Sequence, residues 1–468
     1  MKALGRFSLF LIPSLFQGAL ALLMLPIVTQ VLGPHEYGVI ALANAYTGFG
    51  SALAAMGGGY VMTNRFVAEA PDQCEDVVST VSILGFGAVV IYGVLLYALW
   101  PVLPETYQIS MPCLGLALVT MVFGQPWIVA ADVLTLSGDA RNFALILVIQ
   151  TIVAAVTLLV GLFVFGLDVS ALFLAQAAGS VVSLAGAVWV LRGYFRLRLD
   201  TVVLRELRSV GLISGLGNLV EALQTAVERS MLSRYAGITQ LGIYTHSQQY
   251  RVIASMPGKA IARTVWPVTL SEARDLSSDF SKTRTAWDVA YIGFTFCGIL
   301  FATLGDRLIG LLTNGKFTDA YVIATFWMIF LLVSNSGKPQ TGTLYALGGG
   351  PTYARLVMMS GAIGLVALVA LIPLFGIWGA VAAVVLQQIF LRVGIQTKAN
   401  AIRRVPFQDR WVYIGTAYVL GVFFIRRYFD GALETSLAIF AAACGLLLLI
   451  SWRVLWAAMQ RILFGRLR

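Results

Sequence analysis

The sequence predicts an all-α polytopic membrane protein. About fourteen transmembrane helices are expected, as two six-helix lobes related by a pseudo-two-fold axis plus a C-terminal helix pair. Three observations predict this. Of 468 residues, 59% are hydrophobic and only 12% charged, about half the charge of a soluble domain. Apolar windows of about 20 residues, the length that crosses a bilayer as a helix, recur along the whole chain. Lys and Arg gather in alternate short connections.

Taken in order, the apolar windows place spans near 7–31, 39–62, 79–100, 110–131, 143–165 and 170–191. A second set follows near 209–235, 241–262, 286–312, 319–337, 354–375 and 377–397. The terminal pair falls near 411–428 and 434–455, with Arg426, Arg427 and Asp430 between its members. The first span follows Lys2 and Arg6 and is too long for the apolar core of a signal peptide.

With the N-terminus inside, the outer connections hold only Arg307, Lys316, Arg426 and Arg427. Arg229, Arg234, Arg251, Lys259 and Arg392 fall within spans, and every other Lys and Arg lies inside. That asymmetry is the positive-inside pattern and predicts that both termini are cytoplasmic. It also explains the net charge of +10 without invoking nucleic acid. The longest connections, 192–208 and 263–285, are too short for a soluble catalytic domain. Topology alone accounts for Arg192, Arg196, Arg198, Arg205 and Arg208 in the first; contact with anionic lipid head groups is the alternative.

An internal repeat divides the chain. Gly33-x4-Gly38 recurs as Gly237-x4-Gly242, 204 positions later. Leu134 to Gly138 aligns with Leu344 to Gly348, and Phe165-Gly166 with Phe375-Gly376, each at an offset of 210. The expected organisation is an N-terminal lobe (1–191), a basic cytoplasmic linker (192–208), a C-terminal lobe (209–400), and a helix pair with a basic tail (401–468). Six spans per half is an even number, so the halves run in parallel through the membrane.

Charge concentrates where it is most costly. The seventh and eighth spans carry Glu221, Glu228, Arg229, Arg251 and Lys259 together with Asn218, Gln224, Gln248 and Ser255. Ionisable groups at membrane depth usually face a protein interior or a water-filled path. Asn218, Glu221, Gln224 and Glu228 recur at helical spacing on one face, as do Gln248, Arg251, Ser255 and Lys259 on the next helix. At 1.5 Å per residue, Glu221 and Arg251 lie near mid-bilayer, where snorkelling to water is hardest. These nine residues are the candidate cavity. Arg251 suits a phosphate. Glu221 suits either an ion pair or a coupling proton or Na⁺. Arg234 and Arg392, nearer span ends, read as interface anchors.

The run Thr29-Gln30-Val31-Leu32-Gly33-Pro34-His35-Glu36-Tyr37-Gly38, with Gly237-x4-Gly242-Ile243-Tyr244 and Leu344-Tyr345-Ala346-Leu347-Gly348-Gly349, resembles bacterial polysaccharide (oligosaccharide) flippases. These belong to the multidrug/oligosaccharidyl-lipid/polysaccharide exporter superfamily. The resemblance implies translocation of an undecaprenyl-diphosphate-linked oligosaccharide from the cytoplasmic to the periplasmic leaflet, by alternating access through a central cationic cavity. It implies membrane lipids, a polysaccharide polymerase and chain-length machinery as partners, and no cofactor beyond Na⁺ or H⁺ coupling. Lipid II flippases of the superfamily usually carry several arginines in the first two spans, where this chain has none between Arg6 and Arg65. A Na⁺- or H⁺-coupled small-molecule exporter and a lipid II flippase are the other readings. A polymerase would need a large periplasmic loop. No phosphate-binding loop or histidine-based metal motif occurs, and the four cysteines read as packing residues.

Overall fold

The computed structural model describes residues 2–55, 57–68, 74–275, 277–405, 410–429 and 432–464. Every regular element among them is helical, as the bilayer requires when no water is at hand for backbone groups. The elements are α1 (Lys2–Val31), α2 (Pro34–Ala55), α3 (Gly58–Ala68), α4 (Glu75–Leu99), α5 (Met111–Ser137), α6 (Ala140–Phe163) and α7 (Val169–Leu191). Then come α8 (Thr201–Glu206), α9 (Leu212–Tyr235), α10 (Ile238–Arg274), α11 (Ser281–Leu312), α12 (Ala320–Asn335) and α13 (Lys338–Ala346). The last are α14 (Gly350–Phe375), α15 (Ile377–Ile402), α16 (Arg410–Tyr428) and α17 (Leu433–Phe464).

Among the described residues, ten helical spans are long and apolar enough to cross a membrane: α2, α4, α5, α6, α7, α11, the α12–α13 run, α14, α15 and α17. The protein is a multi-pass membrane protein. The most apolar of the ten, α6, is largely exposed, whereas α11 and α12–α13 are less apolar and mostly buried. Lipid-facing surface must be hydrocarbon, while helices packed among others can carry polar groups. The polar side chains of α9, α10 and α16 keep those helices below the same threshold.

The chain forms two compact units. Met1–Gly242 with Leu368–Ile377 make the first; Ile243–Ala367 with Trp378–Arg468 make the second. In the first, α7 packs on α5 and α6, and α2 on α4, α5 and α9. Val61, Met62, Val78, Ala130, Val133 and Ala187 form a core where α3, α4, α5 and α7 meet. In the second, α11 packs on α12, α16 and α17, and Leu344, Leu356, Ile395 and Ala399 close α13 to α15. Contacts thus group α9 with the first unit, although the repeat spacing counts it as the first helix of the second half.

Two expected connections are more ordered than their composition suggests. In the 192–208 linker, Asp200 caps α8 by accepting from the Val202 and Val203 amides at 2.6 and 3.0 Å, and a π-turn at Leu207–Gly211 leads into α9. Across it, Arg65 of α3 pairs with Glu206 of α8, so Arg65 braces the unit as well as carrying charge. In the second connection the expected loop 263–285 is largely helix, because α10 runs on to Arg274 and α11 starts at Ser281. Arg403 holds that end in place. Its guanidinium donates to the carbonyls of Glu272 (2.9 Å), Ala273 (2.6 Å), Asp275 (2.9 Å) and Ser278 (3.0 Å), supplying donors that a helix C-terminus lacks.

The repeat signatures have local counterparts. Gly138 and Gly348 both adopt left-handed backbone after a helix. In each case the next amide reaches back five residues, Asp139 to the Leu134 carbonyl at 2.8 Å and Gly349 to the Leu344 carbonyl at 2.7 Å. That is one helix cap used twice at an offset of 210. The Gly-x4-Gly pair goes further, because the two copies touch. A Cβ on Gly38 would stand 2.0 Å from the Ile238 carbonyl oxygen, and one on Gly242 would stand 1.7 Å from that of Pro34. Only glycine allows this backbone approach.

Candidate functional site

Arg251 lies on α10, in the part of that helix belonging to the second unit. Its guanidinium lies over the Trp327 ring at 4.5 Å and the Phe330 ring at 5.2 Å. Trp327 and Phe330 are three apart on α12, so they present a shared aromatic face. Trp327 is fully buried, and its Nε1 donates to the Ser247 hydroxyl at 3.0 Å. Ser247 in turn donates to the Tyr244 carbonyl at 2.6 Å. One turn along α10, His246 Nε2 lies 2.9 Å from the Tyr250 hydroxyl, and its ring stacks on Phe317 with centroids 4.1 Å apart. The platform under Arg251 is therefore fixed by packing and hydrogen bonds.

Two aromatic faces attract a cation by about 0.5–2 kcal/mol each, and a guanidinium is weakly hydrated enough to accept them in place of water. Among the described residues no carboxylate lies within ion-pair distance of Arg251. A stacked guanidinium retains in-plane N–H donors, the geometry that suits phosphate oxygens.

The remaining expected residues divide. On α9, Asn218 and Glu221 are exposed while Gln224 and Glu228 are buried. Arg229 donates from Nη1 to the Ala41 carbonyl at 2.8 Å, tying α9 to α2. On α10, Gln248 is half-buried, and the Ser255 hydroxyl is satisfied by the Val252 carbonyl of its own helix at 2.6 Å. The Lys259 side chain lies outside the described residues, as do those of Pro13 and Pro257. The nine do not gather in one compact unit, since Asn218 to Arg229 belong to the first and Gln248 to Lys259 to the second. Arg234, exposed at the end of α9, donates to the Tyr107 hydroxyl at 3.1 Å and lies over the Tyr235 ring at 5.4 Å.

Sequence reasoning missed several groups. Trp327 and Phe330 carry no signal of their own, being aromatics in an apolar helix. Arg426, assigned to an outer connection, is 7% exposed on α16, paired with Asp306 of α11 and 3.5 Å from the Ser436 hydroxyl of α17. Asp132 on α5 is half-buried, and a Cβ on Gly59 would stand 3.0 Å from its Oδ2. A carboxylate directly after the apolar window 110–131 was the available signal for Asp132. Among the described residues no group of His, Cys, Asp and Glu is placed to hold a metal ion.

Residues 6–272 match the sequence family described as polysaccharide biosynthesis protein. The chain belongs to the polysaccharide biosynthesis protein family. No curated protein sequence matches it. The fold of this polysaccharide biosynthesis family member is similar to that of the lipid II flippase MurJ in its inward closed conformation, with TM-score 0.69 and 13% identity over 96% of this chain and 99% of that one. It is similar to an inward-facing multidrug resistance MATE family transporter of the MOP superfamily, with TM-score 0.63 and 16% identity over 82% and 96% of the chains. It is also similar to the MATE multidrug transporter DinF-BH in complex with R6G, with TM-score 0.58 and 18% identity over 86% and 96%. Family membership and a shared membrane-protein fold are what these likenesses establish.

Proposed function

We propose that this polysaccharide biosynthesis family member flips an undecaprenyl-diphosphate-linked oligosaccharide repeat unit from the cytoplasmic to the periplasmic leaflet. It does so by alternating access through a cationic cavity. In this reading the protein resides in the inner membrane with both termini cytoplasmic, and its helices form fourteen spans in two six-helix lobes with a terminal pair. The observation that supports it is Arg251, a half-buried guanidinium held by Trp327 and Phe330 with no carboxylate partner among the described residues. A diphosphate needs such a donor in a site shielded from lipid. The polyprenyl tail stays in the bilayer, and only the head group passes.

A Na⁺- or H⁺-coupled small-molecule exporter is the second reading. It is favoured by Glu221, exposed on α9 without an ion pair among the described residues. Complementation of a strain lacking its polysaccharide flippase separates the two. Arg251→Ala should cut surface polysaccharide sharply, Arg251→Glu should abolish it, and Glu221→Gln should matter less. Full export by normally inserted Arg251→Glu protein sinks the phosphate role. Failure of the wild-type protein to restore surface polysaccharide, together with ion-driven small-molecule efflux that is lost in Glu221→Gln and kept in Arg251→Ala, favours the coupled exporter.

A further inference from the structure

A second charged site lies within the second unit, apart from Arg251. The first residues of α11, the start of α16 and the later part of α17 frame a cavity of about 270 Å³. Three arginines from three helices line it, Arg284, Arg410 and Arg453, along with Ser281, Asp279 and Asp288. By formal charge the lining is net positive. Neither Arg410 nor Arg453 has a carboxylate within ion-pair distance among the described residues, and both are exposed. The volume falls below the range of about 300–1,000 Å³ typical of drug-sized ligands, so a small polar head fits and a large one does not.

The surface beside the cavity supplies an independent indication. Trp452 and Trp456, 59% and 43% exposed, stack with ring centroids 5.6 Å apart. They share a helical face with Leu449, which is 78% exposed, and that face adjoins the one presenting Arg453 and Ala457 to the cavity. Tryptophan pairs at helix ends mark the level of lipid head groups, and basic pockets between membrane helices take phosphate head groups. The Lys and Arg asymmetry assigns this end of α11, α16 and α17 to the cytoplasmic side.

We propose that the cavity framed by Arg284, Arg410 and Arg453 binds the phosphodiester head group of an anionic phospholipid from the cytoplasmic leaflet. The acyl chains lie along Leu449, Trp452 and Trp456. The arginines hold the phosphate, Asp279 and Asp288 accept from hydroxyl groups of the head, and the net positive lining disfavours the cationic heads of phosphatidylethanolamine and phosphatidylcholine.

The test is lipid retention. Full-length protein is equilibrated in micelles containing equal phosphatidylglycerol, phosphatidylethanolamine and phosphatidylcholine, then delipidated, and the lipid left on it is counted by native mass spectrometry. Wild-type protein should retain one phosphatidylglycerol in preference to the other two. The double variant Arg410→Gln/Arg453→Gln should bind it about thirtyfold more weakly, the loss expected of two surface arginines, while Arg453→Lys retains it. Melting temperatures identify any variant that has failed to fold, in which case the Arg453→Gln single variant is read instead. Equal retention of the three lipids, or unchanged retention by the Gln variants, overturns the proposal. So does glycerol 3-phosphate raising the melting temperature as much as phosphatidylglycerol does, because the ligand would then be a soluble phosphate.

Discussion

Gly38 and Gly242 stand 204 positions apart, and each presses its bare Cα against the backbone at the helix start in the other's repeat, Gly38 on Ile238 and Gly242 on Pro34. Pro34 and Ile238 are themselves 204 apart, so the contact is reciprocal between equivalent positions. At this point the starts of α2 and α10 approach as closely as backbone allows. Gly38→Ala and Gly242→Ala should each lower stability by about 1–3 kcal/mol, the cost of forcing atoms into a packed site. Gly115→Ala, where a Cβ meets nothing within 4 Å, is the control. Thermal unfolding of the three purified variants decides it, and a Gly242→Ala protein that melts with the wild type refutes the close approach.

Ser247 fixes Trp327, and Trp327 carries Arg251. Ser247→Ala leaves the buried indole N–H without its acceptor, a loss of about 1–3 kcal/mol, and should reduce polysaccharide export without changing membrane insertion. Trp327→Phe also removes the indole donor but keeps an aromatic face under the guanidinium, so it should retain more export than Trp327→Ala. Equal export by the Phe and Ala variants would remove the aromatic platform from the argument.

Arg403 bridges four carbonyls around the end of α10. Arg403→Ala should destabilise the protein by about 2–3 kcal/mol, as charged hydrogen bonds of this kind do. Arg403→Lys should recover only part, because an ammonium lacks the planar fork. Hydrogen exchange between residues 268 and 280 is the direct reading, and protection unchanged in the Ala variant contradicts this role.

Arg426 and Asp306 form a nearly buried pair joining α16 to α11, with side chains 8% and 19% exposed. Removing one partner strands a charge, so Arg426→Leu should cost about 3–5 kcal/mol. The double variant Arg426→Leu/Asp306→Leu should recover much of that. A double variant no more stable than Arg426→Leu alone argues against the pairing.

The α8 cap gives a pH dependence. The Val203 amide, and after it that of Val202, hold the Asp200 carboxyl below its ordinary range. Its folded pKa therefore lies below the unfolded value of about 3.9. The cap's contribution is present above that value and is lost as pH falls through the folded pKa. Exchange protection of the Val202 and Val203 amides should be constant from neutral pH to about 5 and fall only in stronger acid, after correction for intrinsic exchange. In Asp200→Ala it should be low at every pH, and a wild-type loss already complete at about pH 6 would exclude this cap as its cause.

Much of the fold was legible in the chain because hydrocarbon imposes a simple rule on sequence. Apolar windows near 143–165 and 354–375 correspond closely to α6 and α14, since lipid tolerates little else at that length. The end of α10 was not legible. Residues 263–274 are polar enough to read as a loop, and the arginine that secures their helix lies some 130 positions away. The linker helix α8 was hidden in the same way among arginines that topology alone explained. For the candidate site, Arg251 stood out because a charge in an apolar stretch is costly wherever it faces. Trp327 and Phe330 did not, because aromatic residues in a membrane helix are ordinary until a cation is found against them.

By itself the sequence determined that this is a helical, multi-pass membrane protein, where many of its helices run, and which glycines recur. Composition and spacing are local quantities, and the bilayer reads them locally. Tertiary structure alone decided that the two Gly-x4-Gly turns meet, that Asn218 and Glu221 are exposed while Gln224 and Glu228 are buried, and that Arg426 is an interior residue. Each of these depends on which surfaces are brought together over a hundred residues or more, and no periodicity along one helix encodes its neighbour.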